Sequence, residues 1–293
     1  MNGPAGLLPS VGVVVLTRGD RPVELRRAVD SVLGQSGVEV SLVCVGNGWQ
    51  PVNLPAPVAT VALPENRGVG ARNAGVPLAA GEILFFLDDD AWLPEPDSLA
   101  RLAAFFAAHP KVGMVQTRIL DPAGDRAPRS WVPRLRKGDP ARPSTTMYVC
   151  EAAVGVRREV FERVGGWGEP YGYAHEGIEL AWRVWDAGYI VWYAGDLLTW
   201  HPYAPATRHP EFQRQNARNR VLLTRRNLPA LLAPGYLGLW SAVDGWRNRA
   251  DPEARREWRL GWRSGWREDP GPRRPLSWGG ILAMTRHGRP PII

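Results

Sequence analysis

The sequence predicts an α/β fold, a mostly parallel central sheet with helices on both faces. Three observations carry this. Short apolar runs rich in β-branched residues alternate with segments of helical spacing over the first two thirds of the chain. Their order reads βαβ-β-α-β, as a parallel sheet requires. Polar residues Thr17, Asn47 and Asp88 each stand where an apolar run stops, at the carboxyl ends of strands, where open α/β sheets bind ligands.

The elements follow in order. "VGVVVL" (11–16) is the first buried strand. After "TRGDRP", Leu25, Ala28, Val29, Val32 and Leu33 recur at helical spacing, with Asp20 and Pro22 as start signals and Gly34 as a stop. "VEVSLVCV" (38–45) is the second strand and runs into "GNG". A short strand at 58–61, the loop "PENRG", a small-residue helix "VGARNAGVPLAA" and the strand "EILFFL" come next. A helix over about 97–108 and a strand at 112–119 precede residues 121–146, a Pro-, Arg- and Gly-rich stretch without periodicity. Loops of that size in a compact domain serve as lids or binding segments. "MYVCEAAVGV", a helix near 157–164, the turn "GGWGEPYGYAHEG", the helix "IELAWRVWDAG" and two strands, "YIVWYAG" and "LLTWH", complete this region.

Beyond His209 the composition shifts. "FQRQNARNRVLLTRRNLP" is a basic helix, and six of the fourteen tryptophans fall between Trp240 and Trp278 among many arginines. Trp258, Trp262 and Trp266 form one stripe on a helix, either packed on the core or laid on a membrane surface, where Trp and Arg both favour the interface. The expected organisation is a domain over 1–209 and a helical Trp/Arg-rich extension over 210–293.

Composition narrows the class. With 44% hydrophobic and 22% charged residues, the 293-residue chain has the balance of a globular protein with a sizeable core. The net charge of +7 favours an anionic partner. Cys44 and Cys150 sit in apolar runs and offer neither a disulfide framework nor metal spacing, which fits a reducing cytoplasm. No basic n-region precedes the short apolar stretch at 11–16, so no signal peptide is expected. The longest apolar candidate, 228–243, is too short and Pro-interrupted to span a bilayer, though it suits lying on one.

The segment "FLDDDAWLPE" carries the first chemistry. Three adjacent carboxylates behind a buried strand repel one another, and burial raises that cost. A solvated loop capping the helix near Asp97 is one solution; a bound divalent cation, which prefers carboxylate oxygens and shares its coordination with substrate phosphates, is the other. By the period of two, Asp88 and Asp90 share a side and Asp89 points elsewhere. His201 stands at the end of another apolar strand, either as a structural histidine or as a further ligand. Thr17, Arg18 and Arg21, then Arg67, Arg72 and Asn73 among glycines, face anions. The glycine spacing from Gly68 is not a dinucleotide fingerprint.

Five segments in order resemble family 2 glycosyltransferases of the GT-A fold: the first strand with "LTRGDRP", "VGNG", "ENRGVGARNAGV", "FLDDDAWL", and "AAVGVRREVFERVGGWGEPYGYAHEGIELAWRVWDAGY" closing with "WH". The likeness covers about residues 10–230, and it implies that the 1–209 domain has a nucleotide-binding half to about 120 and an acceptor half over about 121–209. It implies a nucleoside-diphosphate-sugar donor, Mg²⁺ or Mn²⁺, and inversion at the anomeric carbon by a single displacement. Carried over by residue, it implies donor binding by Thr17, Arg18, Asn47, Arg72, Asn73, Asp88 and Asp89. Asp90 and His201 would hold the metal, with Asp88 serving both roles. It also implies polysaccharide biosynthesis, with a glycan, glycolipid or secondary metabolite as hydroxyl acceptor, in the cytoplasm or on the inner face of the membrane.

Two positions depart from the family pattern. Gly46 replaces an Asp before Asn47, and Gly177 in "HEGIEL" replaces the Asp that serves as catalytic base. Glu176 is the nearest substitute, Glu179 the alternative one helical turn along, and His175 a third choice. Two other readings stay open: a hydrolase with a D-x-D nucleophile, disfavoured because that pair belongs on the first strand, and a nucleotide-sugar-binding protein that has lost its base. Nucleic-acid binding is not expected, since no recognisable module accompanies the charge. Donor, acceptor and oligomeric state are not readable.

Overall fold

A computed structural model describes residues 8–124, 128–134, 136–204 and 211–292. Among them one eight-stranded sheet runs in the order β3-β2-β1-β4-β7-β5-β8-β6. Its strands are β1 (Ser10–Thr17), β2 (Glu39–Asn47), β3 (Ala59–Leu63), β4 (Ile83–Asp88), β5 (Val112–Leu120), β6 (Ser144–Thr145), β7 (Ala153–Arg157) and β8 (Ile190–Trp200). Pairings β1/β2, β1/β4, β2/β3 and β5/β8 are parallel; β4/β7, β5/β7 and β6/β8 are antiparallel. The sheet is mostly parallel, as expected, with β7 as the antiparallel insert between its halves.

Alternation along the strands builds two cores. Val11, Val13 and Val15 of β1 join Leu25, Val29 and Val32 of α1 (Pro22–Leu33) and Leu99, Leu102 and Phe106 of α2 (Ser98–Ala108) on one face. Val14 joins Leu84, Phe86, Phe161 of α3 (Arg158–Val164), and Leu180, Trp182 and Val184 of α4 (Glu176–Asp186) on the other. The period of two sends successive β1 side chains to opposite layers, so helices on both faces are what the run "VGVVVL" demands.

Two elements differ in form from expectation. The small-residue segment Gly68–Leu78 is a 3₁₀ helix containing Pro77. The two strands expected after Gly188 are one strand, β8, whose pairing with β5 jumps from Ala194 to Leu198. Gly195 lies in that irregularity, against the carbonyl of Ala141, where a Cβ would not fit.

The second core continues into the C-terminal helices α5 (Phe212–Asn227), α6 (Ala233–Arg247), α7 (Pro252–Arg267) and α8 (Trp278–Arg286). Val221, Leu222 and Leu223 of α5, Tyr236 and Leu237 of α6 and Met284 of α8 belong to the same apolar cluster as Trp182. Gly261 and Gly265 of α7 lie against the backbone carbonyls of Arg214 and Arg218, so the missing side chains let α7 cross α5 closely. Trp258 stacks on Trp262, its indole N–H donates to Asp244 at 3.2 Å, and Trp266 stays 49% exposed. The boundary expected at 209/210 lies outside the described residues. No described helix is long and apolar enough to cross a membrane.

Candidate active site

Thr17, Asn47 and Asp88 end the neighbouring parallel strands β1, β2 and β4, with Thr17 in register with Gly46 and Leu16 with Asp88. A cavity of about 1020 Å³ opens there. Thr17, Arg18, Asn47, Arg72, Asp88, Asp89, Asp90, His175 and His201 line it, and its size suits a ligand as large as a nucleotide sugar.

The three aspartates are accommodated by separate partners. Asp88 pairs with Arg72, which is buried and lies 5.3 Å from the Trp167 ring centroid. Asp89 accepts from the Thr17 hydroxyl at 2.6 Å and faces Arg21 at 3.2 Å. Asp90 pairs with Arg21 and lies 3.1 Å from His201 Nε2. Asp89 and Asp90 are only 3% and 9% exposed, which excludes the solvated-loop reading. Nor does the triplet cap α2, whose N-cap residue is Asp97.

Burial and neighbouring charges together set the acidity of Asp89, Asp90 and His201. It pushes Asp89 up to about 6, against the Thr17 hydrogen bond and the Arg21 charge. Asp90 is also penalised by burial, but the hydrogen bond and charge of His201, with Arg21, hold it below the ordinary carboxylate range. His201 is raised in return: burial opposes its charge, and Asp90 outweighs burial.

His201 reaches the triplet because Trp92 and Trp200 form an isolated bridge, each N–H donating to the other's carbonyl at 3.0 Å. The His201 N–H is held at 2.9 Å by Leu120 O, and its ring meets Trp131 edge-on at 5.3 Å. One ligand atom each from Asp88, Asp90 and His201 lies within 4.8 Å of the others. Two carboxylates and an imidazole suit a hard or borderline divalent cation such as Mg²⁺ or Mn²⁺. The residues present fit the expected ion.

Not every expected donor-binding residue faces the cavity in the same way. Asn47 donates to Asn66 Oδ1 at 2.8 Å and accepts from the Arg67 N–H at 2.7 Å, fixing the "ENRG" loop as part of the wall. Asn73 does not line the cavity: its side chain donates to Trp167 O at 3.0 Å and accepts from the Trp167 N–H at 2.9 Å, clamping the "GGW" turn. Gly46 lies against Trp49 O with no room for a Cβ, so the side chain usual at that place is excluded by the following turn.

The acidic residues of "HEGIEL" diverge. Glu179 is fully buried, accepting from Arg226 Nε at 2.5 Å and facing Arg183 at 3.4 Å. Glu176 is 2% exposed, its Oε2 has no hydrogen-bond partner, and it does not line the cavity. His175 adopts a left-handed backbone at φ 77° and lines the cavity with both ring nitrogens unpartnered. Burial, then the Arg220 charge, keep it neutral by lowering its pKa well below the ordinary value.

Sequence reasoning places Asn219 in a basic helix with Arg214, Arg218 and Arg220 that resembles the family's "RN" segment but misses its contacts, and it misses Glu151 altogether. Asn219 of α5 donates to the carbonyls of Tyr171, Tyr173 and Ala174 at 2.9, 2.6 and 3.0 Å and so shapes the turn that presents His175. Glu151, in the turn before β7, lines the cavity and accepts from the Gly177 N–H at 2.7 Å. An acidic residue interrupting the apolar run "MYVCEAAVGV" is the signal that marks it.

Burial, with the neighbouring Glu151 charge, raises the Glu176 pKa well above its ordinary 4.5. A group whose acidity is weakened by folding contributes stability that is present below its unfolded pKa and lost as pH rises towards its folded pKa. E176Q, neutral at every pH, is therefore expected to melt higher than the native chain in alkaline buffer and to converge with it near pH 4. Thermal melts across that range test this; equal melting temperatures at all pH values would remove the assignment of Glu176 as a buried neutral acid.

Comparison with known proteins places this architecture. The model of the family "Glycosyl transferase family 2" matches residues 10–165, more than half of the chain. The O-antigen biosynthesis protein RfbC of Myxococcus xanthus is 29% identical over 205 residues, covering 60% of this chain and 16% of its own length. The succinoglycan biosynthesis protein ExoO of Rhizobium meliloti (strain 1021) is 37% identical over 111 residues, 35% of this chain and 31% of its own. This chain thus spans under a third of each of these relatives. Mannosyltransferase PcManGT from Pyrobaculum calidifontis, solved in complex with GDP-Man and Mn²⁺, superposes with a TM-score of 0.57 at 18% identity, covering 96% of this chain and 79% of that one. The shared architecture is the GT-A fold.

Proposed function

The chain belongs to glycosyl transferase family 2, and on that premise we propose that it moves a sugar from a nucleoside-diphosphate sugar to a hydroxyl acceptor, inverting the anomeric centre by a single displacement. The observation that carries this reading is the convergence of Asp88, Asp90 and His201 beside Arg72 in one cavity at the carboxyl ends of β1, β2 and β4. Thr17, Arg18 and the Asn47 loop form the end of the cavity that receives the nucleotide; Asp89 holds Thr17 and Arg21 in place from beneath. Mg²⁺ or Mn²⁺ held by Asp88, Asp90 and His201 supplies neutralisation of the diphosphate. Arg72, buried and fixed by Asp88, adds a preorganised positive charge to the same end, where charge develops as the nucleotide departs. A carboxylate facing the cavity away from the aspartate cluster takes the acceptor's proton.

The RfbC and ExoO similarities support a polysaccharide or glycolipid acceptor. Trp246, Trp266 and Trp278 are exposed on α6, α7 and α8, and α7 carries five arginines, a composition that suits an anionic membrane surface where a lipid-linked acceptor is met. A second reading, a nucleotide-sugar-binding protein without turnover, is favoured by Gly177 alone.

A thermal-shift panel of UDP-, GDP- and TDP-sugars, each with and without Mn²⁺ or Mg²⁺, tests the proposal. A ligand at 100 times its Kd stabilises the native state by about 2.7 kcal/mol, so a metal-dependent rise in Tm is expected with at least one donor. No metal-dependent shift across the panel would overturn the reading; a shift without nucleotide release across many acceptors would favour the binding protein.

A further inference from the structure

Resting on the glycosyl-transfer reading, we infer that Glu151 is the catalytic base, its carboxylate standing in the space that a side chain at residue 177 would need, and that Glu176 is a positioning residue behind it.

Gly177 is not among the residues with a left-handed backbone, so conformation does not demand glycine there. Space does. A Cβ on residue 177 would run into Glu151 Oε1 and its carboxyl carbon, and into the carbonyl oxygen of Val149, closer than real Cβ contacts come. The position that would carry an aspartate is therefore filled from another element, the turn leading into β7.

Elimination among the described residues points the same way. Five carboxylates line the cavity: Asp88, Asp89, Asp90, Glu151 and Glu211. The aspartates are committed to Arg72, Arg21, Thr17 and His201 at the diphosphate end. Glu211 is exposed and accepts from Gln215 at the start of α5. Glu176 does not reach the cavity, and Glu179 is locked between two arginines. Glu151 is left as the cavity-facing carboxylate that is neither exposed nor paired within the aspartate cluster. One of its oxygens is held at 2.7 Å by the Gly177 N–H in the first turn of α4, which orients the carboxylate and leaves the other oxygen for the acceptor.

The charged and titratable groups around it are Arg72 from the 3₁₀ segment, Asp88 from β4, Tyr148 and Cys150 on its own stretch, and Glu176 from α4. Burial raises the Glu151 pKa, offset in part by the Gly177 hydrogen bond and Arg72, which suits a base that must be ionised near neutral pH yet accept a proton. The Glu151 charge is one of the causes that raise Glu176, so Glu176 keeps its proton while Glu151 is ionised. In the step itself, the acceptor oxygen forms a bond to the anomeric carbon while its O–H proton passes to Glu151. The bond from that carbon to the diphosphate oxygen breaks, and the electron pair leaves with the nucleoside diphosphate.

The test uses the full chain with a donor that gives a metal-dependent thermal shift, water or a glycan as acceptor, and nucleotide release as readout. E151Q is expected to keep the metal-dependent shift, to lower release by about 10²–10⁴-fold, and to lose the acid limb of the pH–rate profile. E176Q matches the uncharged Glu176 and is expected to keep turnover and to leave the acid limb in place. E151D guards against misfolding of E151Q: it keeps an acid limb with a reduced rate. Release and acid limb unchanged in E151Q, or turnover lost in E176Q but kept in E151Q, would overturn the inference while leaving glycosyl transfer standing. Absence of any metal-dependent donor binding by the native chain would overturn both, and binding without release would overturn this one in favour of a non-catalytic binder.

Discussion

Replacing Asp90 with asparagine is expected to abolish the metal-dependent stabilisation by nucleotide sugars and to lower nucleotide release on the order of 10³-fold. Asp90 faces both Arg21 and His201 Nε2, and it shares with Asp88 and His201 a cluster small enough for one ion. Asparagine keeps the shape and one acceptor oxygen but removes the charge that would hold a divalent cation. Loss of metal charge at a departing diphosphate costs several kcal/mol, and about 4 kcal/mol corresponds to that factor. Folding should survive, because Arg21 retains Asp89 at 3.2 Å and the two cores lie beneath the cavity. Melting curves and release assays, with EDTA-treated native protein alongside, check this. D90N that behaves like untreated native protein would remove Asp90 from the metal site, whereas D90N that matches the chelated native chain supports it.

Much of the scaffold was legible because it is written in local pattern. The valines of β1 face opposite layers and need no tertiary information to be read as a strand buried on both sides. The position of Asp88 at a strand end follows from where the apolar run stops, and the pairing of Asp90 with His201 needs only the ordered motifs that the resemblance supplied. What was not legible depends on contacts across long separations. Asn73 looks like a phosphate neighbour in sequence, yet its amide matches the backbone of Trp167, 94 positions away. Glu151 is an isolated acid in an apolar run, and its meaning emerges only when β7 brings it under the Gly177 N–H. The single strand β8 looked like two because a bulge at Gly195 interrupts its alternation.

Glu179 to alanine is expected to destabilise the fold by about 3–5 kcal/mol, the cost of stripping the counter-charge from buried cations. Its carboxylate accepts from Arg226 of α5 on one side and faces Arg183 of α4 on the other. Arg226 also donates to Pro270 O at 2.8 Å and Arg183 to Gly166 O at 2.7 Å, so one carboxylate ties α4, α5, the chain before α8 and the turn after α3. Gly168 sits against Glu179 Oε2, where a Cβ has no room, so that turn is built around the acid. At about 2–4 °C per kcal/mol for a chain of this order of size, the loss reads as a fall in Tm well outside experimental scatter. E179Q, which keeps the volume but not the charge, should fall between E179A and the native chain. Assayed below its melting temperature, E179Q should still release nucleotide, because a brace acts through the fold and not on the acceptor's proton. A stable E179Q without turnover would instead make Glu179 the base, and the arginine pair would then be its acidity control.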